Sequence, residues 1–330
     1  MSWIKKSFLD FSIIIISFFL GIIIFEIFLI YENKYKHPDH IPIYIHGHKY
    51  HFLKSNSTIS PLKLNQDYSE LLILGDSFVE GVACAKDNAN FPSHISNKLK
   101  GKLNVVNLGV RGMNVADYID FLDHFKVSYG DVALITLYNN DLHISKRNCA
   151  QINRQAKKYD IYTPKFCNQH DEFIDKSNNN FFKKINNSIK KYKTVQLVKE
   201  SMTQVPVFKS LFYRDELMNR WNDFESEENK WVRSSLINIA EQVKNKGGHA
   251  VFTYYPNTNK ISNNDKRHQI WMRFIEYVKN NDGIIISDPY PYFINNAPKT
   301  SMVWSLTDKH PSCEAHSLMA EFIFNDLKLE

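Results

Sequence analysis

The period of the apolar positions changes several times along the chain. Residues 11–31 read FSIIIISFFLGIIIFEIFLIY, an apolar run with one charge, Glu26. A helix of about 20 apolar residues spans a bilayer, and this run lacks the polar stripe of a helix packed on a soluble core. It is too long, and too bulky at its end, for a cleaved signal peptide. The pattern predicts an uncleaved signal anchor at 11–31, after a cytoplasmic stub at 1–10. Lys5 and Lys6 before the run nearly balance Lys34 and Lys36 after it, so charge alone does not orient it. A first span followed by a large body usually translocates that body. The expectation is a single-pass protein with its body outside the cytoplasm; in a bacterium this is the inner membrane, facing the periplasm. Glu26 lies near the interface, where a solvated acid is the plainer reading than a functional one.

Residues 32–68 carry His, Pro, Tyr and Ser without a clear period and read as a linker. A regular alternation then begins. Glu70 to Gly75, Leu103 to Leu108 and Asp131 to Asn139 are short apolar runs, the pattern of buried strands. Between them, Phe91, Ile95 and Leu99, then Val115, Ile119 and Leu122, recur at helical spacing. From Asn229 the alternation resumes: a helix to Lys246 stopped by Gly247 and Gly248, a strand His249 to Tyr255, a helix Asp265 to Asn280, a strand Gly283 to Asp288, and a helix from about Cys313 to Leu327. Strands alternating with helices predict parallel β-α-β units in a layered α/β fold, and uniformly apolar strands suit a sheet covered on both faces. Residues 145–226 interrupt the alternation with a polar, Asn- and Lys-rich stretch, an insertion in a domain spanning 69–330. Trp221 and Trp231, beside Phe224, read as anchors of that insertion on the core.

Composition narrows the function. Apolar residues at 43% supply a sizeable core and exclude wholesale disorder. The excess of 41 basic over 35 acidic residues is spread without a basic block, so no nucleic-acid partner is expected. Four Cys without a C-x-x-C pair make neither a disulfide scaffold nor a zinc site. Cys149 and Cys167 flank 17 residues of the insertion, and a disulfide or two free thiols both fit that spacing. Cys84 and Cys313 fall near the two ends of the candidate chemistry, with nothing in the sequence to pair them.

Parallel sheets bind ligands at the carboxyl ends of their strands, so the residues after each strand carry the chemistry. Gly75-Asp76-Ser77-Phe78 puts a hydroxyl at the first mouth. Asn107 to Asn114 brings Gly112, whose backbone can approach a ligand closely. Asn139-Asn140-Asp141 offers an amide, and Thr307-Asp308-Lys309-His310-Pro311 offers an imidazole before the last helix. Each alone has a plain structural reading: a Ser cap, a turn Asn, a loop His. Together, in this order, they make up a nucleophile, a base with a nearby carboxylate, and oxyanion donors, the set for acyl transfer through serine.

These blocks resemble the SGNH hydrolases, the GDSL-type esterases and lipases, over Glu70 to Asn140 and from about Thr307 onward. The resemblance implies a three-layer, flavodoxin-like sandwich with a mostly parallel central sheet. It implies Ser77 as nucleophile, His310 as base and Asp308 as its orienting acid. The oxyanion donors would be the Ser77 and Gly112 N–H groups and the Asn140 side chain. No metal or organic cofactor is implied. The chain departs from the family pattern twice: Tyr138 stands where Gly is usual, and one residue separates Asp308 from His310 where two are more common. The expected activity is removal of acyl groups, acetyl first among them, from a cell-envelope glycan or lipid. An O-acetyltransferase of envelope polysaccharide using the same triad, and a non-catalytic glycan-binding or scaffolding protein, are the alternatives. His316, inside the last helix, reads as a surface residue, and His143 as a loop residue near the site.

Overall fold

A computed structural model describes residues 17–25, 27, 40–45, 48–53, 70–81, 84, 89–99, 103–125, 127, 130–138, 140–142, 144, 148–168, 223–259, 261–262, 265–279, 284–298, 302–304 and 310–329. They belong to two compact units. In the first, residues 17–25 are helical, and Phe18, Phe19, Leu20, Ile23 and Ile24 are exposed. No described helix is long and apolar enough to cross a membrane. Apart from the exposed Ile27, the rest of the 11–31 run, Glu26 included, lies outside the described residues.

The second unit holds the remaining elements. A hairpin of β1 (His40–Ile45) and β2 (His48–Leu53) comes first, antiparallel, with Ile45 paired to His48. The stretch expected to be a linker therefore contains two strands at 40–53. The main domain runs β3 (Glu70–Gly75), α1 (Ser77–Glu80), α2 (Phe91–Leu99), β4 (Asn104–Gly109), α3 (Val115–Phe125) and β5 (Val132–Leu137). It continues through α4 (Cys149–Tyr159), α5 (Lys165–Asn168), α6 (Glu227–Asn245), β6 (His249–Tyr254), α7 (Lys266–Val278), β7 (Ile284–Ser287), α8 (Tyr290–Asn296) and α9 (Cys313–Asp326).

The strands form one parallel sheet in the order β4-β3-β5-β6-β7. Successive strand residues face opposite sides, and the sheet has two apolar faces because both are covered. Leu72, Leu74, Ala133, Ile135 and Phe252 pack with helices α3, α6 and α7. Leu71, Ile73, Leu134 and Val251 pack with α2 and α9. The result is three layers. The chain leaves β3 for β4 on one side and returns to β5 on the other, so the strand order reverses between β3 and β5. A crevice opens at such a reversal, at the carboxyl ends of the strands.

Of the insertion expected at 145–226, the structure describes residues 148–168, with α4 and α5, at one end and residues 223–226, which lead into the Ser226 cap of α6, at the other. Trp231 in α6 is fully buried, while Trp221 lies outside the described residues. The Cys149–Cys167 disulfide joins α4 to α5, and a second disulfide, Cys84–Cys313, spans 229 residues.

Candidate active site

The turn after β3 folds back so tightly that side chains would not fit. A Cβ on Gly75 would lie 2.0 Å from Val79 Cγ2, and one on Gly109, at the end of β4, would lie 2.2 Å from the Glu80 nitrogen. Asp76 caps α1, its carboxylate accepting the Phe78 N–H at 2.8 Å. Ser77 is the first residue of this one-turn helix, at the reversal between β3 and β5.

His310 reaches the same place from the far end of the chain. Its backbone is not helical. Its carbonyl accepts the Trp304 N–H at 2.8 Å, the Ser312 N–H donates to the Met302 carbonyl at 3.0 Å, and Val303 and Pro311 form an antiparallel bridge. The strip at 302–304 is tied in turn to the loop after β6, through the Met302 N–H and the Thr258 carbonyl at 2.8 Å. Helix α9 starts only at Cys313, capped by the Ser312 hydroxyl. This extended approach leaves the imidazole free of the helix and brings Nε2 to 2.9 Å from Ser77 Oγ. Cys84, seven residues after Ser77, is bonded to Cys313, three residues after His310. The bridge therefore ties together the two segments that carry the hydroxyl and the imidazole.

The third component lies after β5. Asn140 donates its Nδ2 to Asp76 Oδ2 at 2.8 Å. Asp141, fully buried, accepts the Tyr138 N–H at 2.7 Å and so closes the turn on which Asn140 sits. Gly112 stands exposed on the loop after β4 at φ +73°, with open space where a Cβ would point. That loop is pinned by Glu80. Its carboxylate, wholly buried, accepts both the Arg111 backbone N–H and Arg111 Nε at 3.1 Å. Ser77, His310, Gly112 and Asn140 are thus all borne by elements at the carboxyl end of the sheet. Asp308, Asn139 and His143 lie outside the described residues.

The electrostatics of this mouth are those of buried acids. Burial pushes the Asp76 carboxyl above its usual range, and the hydrogen bonds from Asn140 and the Phe78 N–H oppose the rise. Asp141 is raised further, by burial first and then by the neighbouring Asp76 charge. Among the described residues, no group of His, Cys, Asp and Glu could hold a metal ion.

Three features escaped the sequence reading. Asp76, Glu80 and Asp141 hold the turns, a role their types alone do not reveal. The Cys84–Cys313 pairing depends on tertiary proximity. His316 is a correction: it is buried, not on the surface. Its Nδ1 lies 3.2 Å from the Tyr255 hydroxyl and its ring stacks with Phe91. Burial lowers it to about 3, so this imidazole is neutral.

No protein-family model matches the sequence, and no curated protein does either. Solved structures similar to the chain include a lipolytic protein of the G-D-S-L family from Veillonella parvula, 12% identical, with a TM-score of 0.42 over 79% of this chain and 98% of that one. An acetylxylan esterase from Geobacillus stearothermophilus is 14% identical, with a TM-score of 0.42 over 79% and 95%. An extracellular lipase from Streptomyces rimosus is 11% identical, with a TM-score of 0.42 over 78% and 99%.

Proposed function

We propose that the chain is a serine esterase that removes short acyl groups, acetyl first, from a cell-envelope glycan or lipid. The observation that carries this reading is the 2.9 Å approach of His310 Nε2 to Ser77 Oγ, two groups 233 residues apart in sequence. That distance lies within the range of about 2.6–3.2 Å required of a base and the proton it removes.

In the acylation step Ser77 Oγ bonds to the ester carbonyl carbon as its proton passes to His310 Nε2. The carbonyl oxygen becomes an oxyanion, held by the Ser77 and Gly112 N–H groups and by the Asn140 amide. Nδ2 of Asn140 carries two hydrogens; Asp76 takes one, and the second is directed to substrate. The carbon–oxygen bond to the alcohol then breaks, and the imidazolium returns its proton to the leaving oxygen. Water repeats the sequence on the acyl-enzyme, releasing the acid and restoring Ser77. Asp308, two residues before His310, is proposed to orient the imidazole and stabilise its charged form.

The body is proposed to work outside the cytoplasm, held by a membrane anchor at 11–31. The two disulfides support an oxidising compartment, and the exposed apolar residues of the helical stretch 17–25 support a lipid-facing segment.

The test is labelling with a fluorophosphonate. The wild-type protein should be labelled at Ser77, and Ser77→Ala should neither label nor hydrolyse p-nitrophenyl acetate. Acetyl transfer to a glycan without hydrolysis in its absence would favour the transferase. No labelling of folded wild type would reject an activated serine.

A further inference from the structure

Tyr138 follows the last residue of β5, where the resemblance leaves room for glycine. Its ring stacks on Phe78, with centroids 3.9 Å apart and planes 24° from parallel. Phe78 is the residue next to Ser77, and its ring centroid lies 5.5 Å from that of His310. One aromatic ring therefore separates Tyr138 from the Ser–His pair.

Tyr138 also contacts residues that line a second space. Its hydroxyl accepts Arg267 Nη1 at 3.3 Å, and its ring lies nearly parallel to Tyr254 at 6.4 Å. Arg267, Tyr254 and the preceding Leu137 all line an apolar pocket, together with Leu142, Trp271 and others. The hydrogen bond to α7 and the stack on Phe78 hold the ring at two points, and the bond from the Tyr138 N–H to Asp141 fixes the backbone that carries it. A side chain fixed in this way is a wall, not a flexible lid.

We infer that Tyr138 is a specificity-determining residue: it closes the path from Ser77 toward the apolar pocket and so limits the substrate to short acyl esters. This rests on the esterase reading above. Without the ring, Phe78 loses the surface it leans on, and a gap as wide as a phenol opens toward Leu142 and Trp271. An alkyl chain excluded from the wild type can enter that gap and bury methylenes there, each contributing favourable transfer from water.

The experiment compares kcat/KM for p-nitrophenyl acetate and p-nitrophenyl octanoate on the full chain in detergent. The wild type should favour acetate by about tenfold or more, within the range that a change in pocket size can produce. Tyr138→Gly should shrink that ratio by about tenfold, through a rise on octanoate. Tyr138→Phe, which loses only the bond to Arg267, should keep the wild-type ratio. An unchanged ratio in folded Tyr138→Gly overturns the inference. Should that variant fail to melt cooperatively, wild-type labelling by short- and long-alkyl fluorophosphonates decides: faster labelling by the short probe supports the wall, and equal rates overturn it. A folded wild type that neither hydrolyses nor labels at all rejects the esterase reading, and the inference with it.

Discussion

The two ends of the parallel sheet both bury acids and use them differently. At the amino end, the Glu70 N–H donates to Asp131 Oδ1 at 2.8 Å, and Glu70 is buried beside that second acid. Burial first, and the Asp131 charge second, raise Glu70 to about 7. At the carboxyl end, Asp76, Asp141 and Glu80 are buried as deeply, but each accepts a backbone N–H from a turn: Phe78, Tyr138 and Arg111 respectively. A buried carboxylate without enough donors is costly, whereas one with backbone donors fixes the geometry of the loop that supplies them. At the amino end the bond ties β3 to the residue before β5 and one acid raises the other; at the carboxyl end the bonds close the turns that carry Ser77, Asn140 and Gly112.

The largest effect should come from the carboxyl end itself. Ser77→Ala should reduce ester hydrolysis on the order of 10⁴-fold or more with an unchanged melting temperature. A variant that keeps its turnover would show that this mouth is not where the chemistry occurs.

Next comes the covalent tie. Replacing Cys84 and Cys313 by Ala should lower turnover about 10²-fold, because His310 is no longer held against Ser77 and small misplacements are costly. It should also destabilise the fold by about 2–5 kcal/mol. Replacing Cys149 and Cys167, which close only a short loop beyond the site, should leave turnover nearly intact. Equal losses in the two pairs, read by turnover and thermal melting, would erase the distinction between a site staple and an ordinary crosslink.

Glu80→Gln keeps the shape of the side chain and removes its charge. Arg111 should loosen and Gly112 with it, so kcat should fall by about tenfold while KM barely moves, as expected for a group felt mainly in the transition state. A change in KM alone would assign Glu80 to substrate binding instead.

The smallest effect belongs to the amino end. The folded-state value of Glu70, about 7, lies above its ordinary 4.5, so the folded protein holds this proton more tightly than the unfolded chain does. Its stabilising contribution is full below about pH 4.5 and is lost as pH rises toward about 7. Glu70→Gln should flatten the melting temperature over that window and leave turnover unchanged. A steeper fall in the variant would reverse the sign assigned to Glu70.

Much of the scaffold is readable in the residues. The five strands of the sheet lie within a residue or two of their apolar runs, because a strand buried on both faces leaves an uninterrupted signal. The hairpin strands within 40–53 are hard to see in the sequence although Ile41, Ile43 and Ile45 alternate, since Pro42 and four His dilute the period. Helix α8 has Pro289 at its cap and Pro291 in its first turn, positions that tolerate proline, and its seven residues are too few to leave a helical period. His316 was misread through its type. It shares the 316, 319, 320, 323 face of α9 with Met319, Ala320 and Ile323, all buried, and that spacing marks the core side. Ser77 and His310 could be named from their turns, but their separation, and the acids that hold those turns, depend on how distant segments meet.

The Cys84–Cys313 bridge also sets an order of events. During synthesis Ser77 emerges 233 residues before His310, so a partly made chain carries the hydroxyl without the imidazole. The bond from residue 84 to residue 313 cannot close until both cysteines, 229 residues apart, have been made, and then only where thiols are oxidised. A truncated or still-reduced copy would keep the Ser77 hydroxyl but lack the covalent tie between its segment and that of His310. In a protein built this way the covalent link between the Ser77 and His310 segments forms only after the later segment has been made, and its presence marks a molecule in which the two have met.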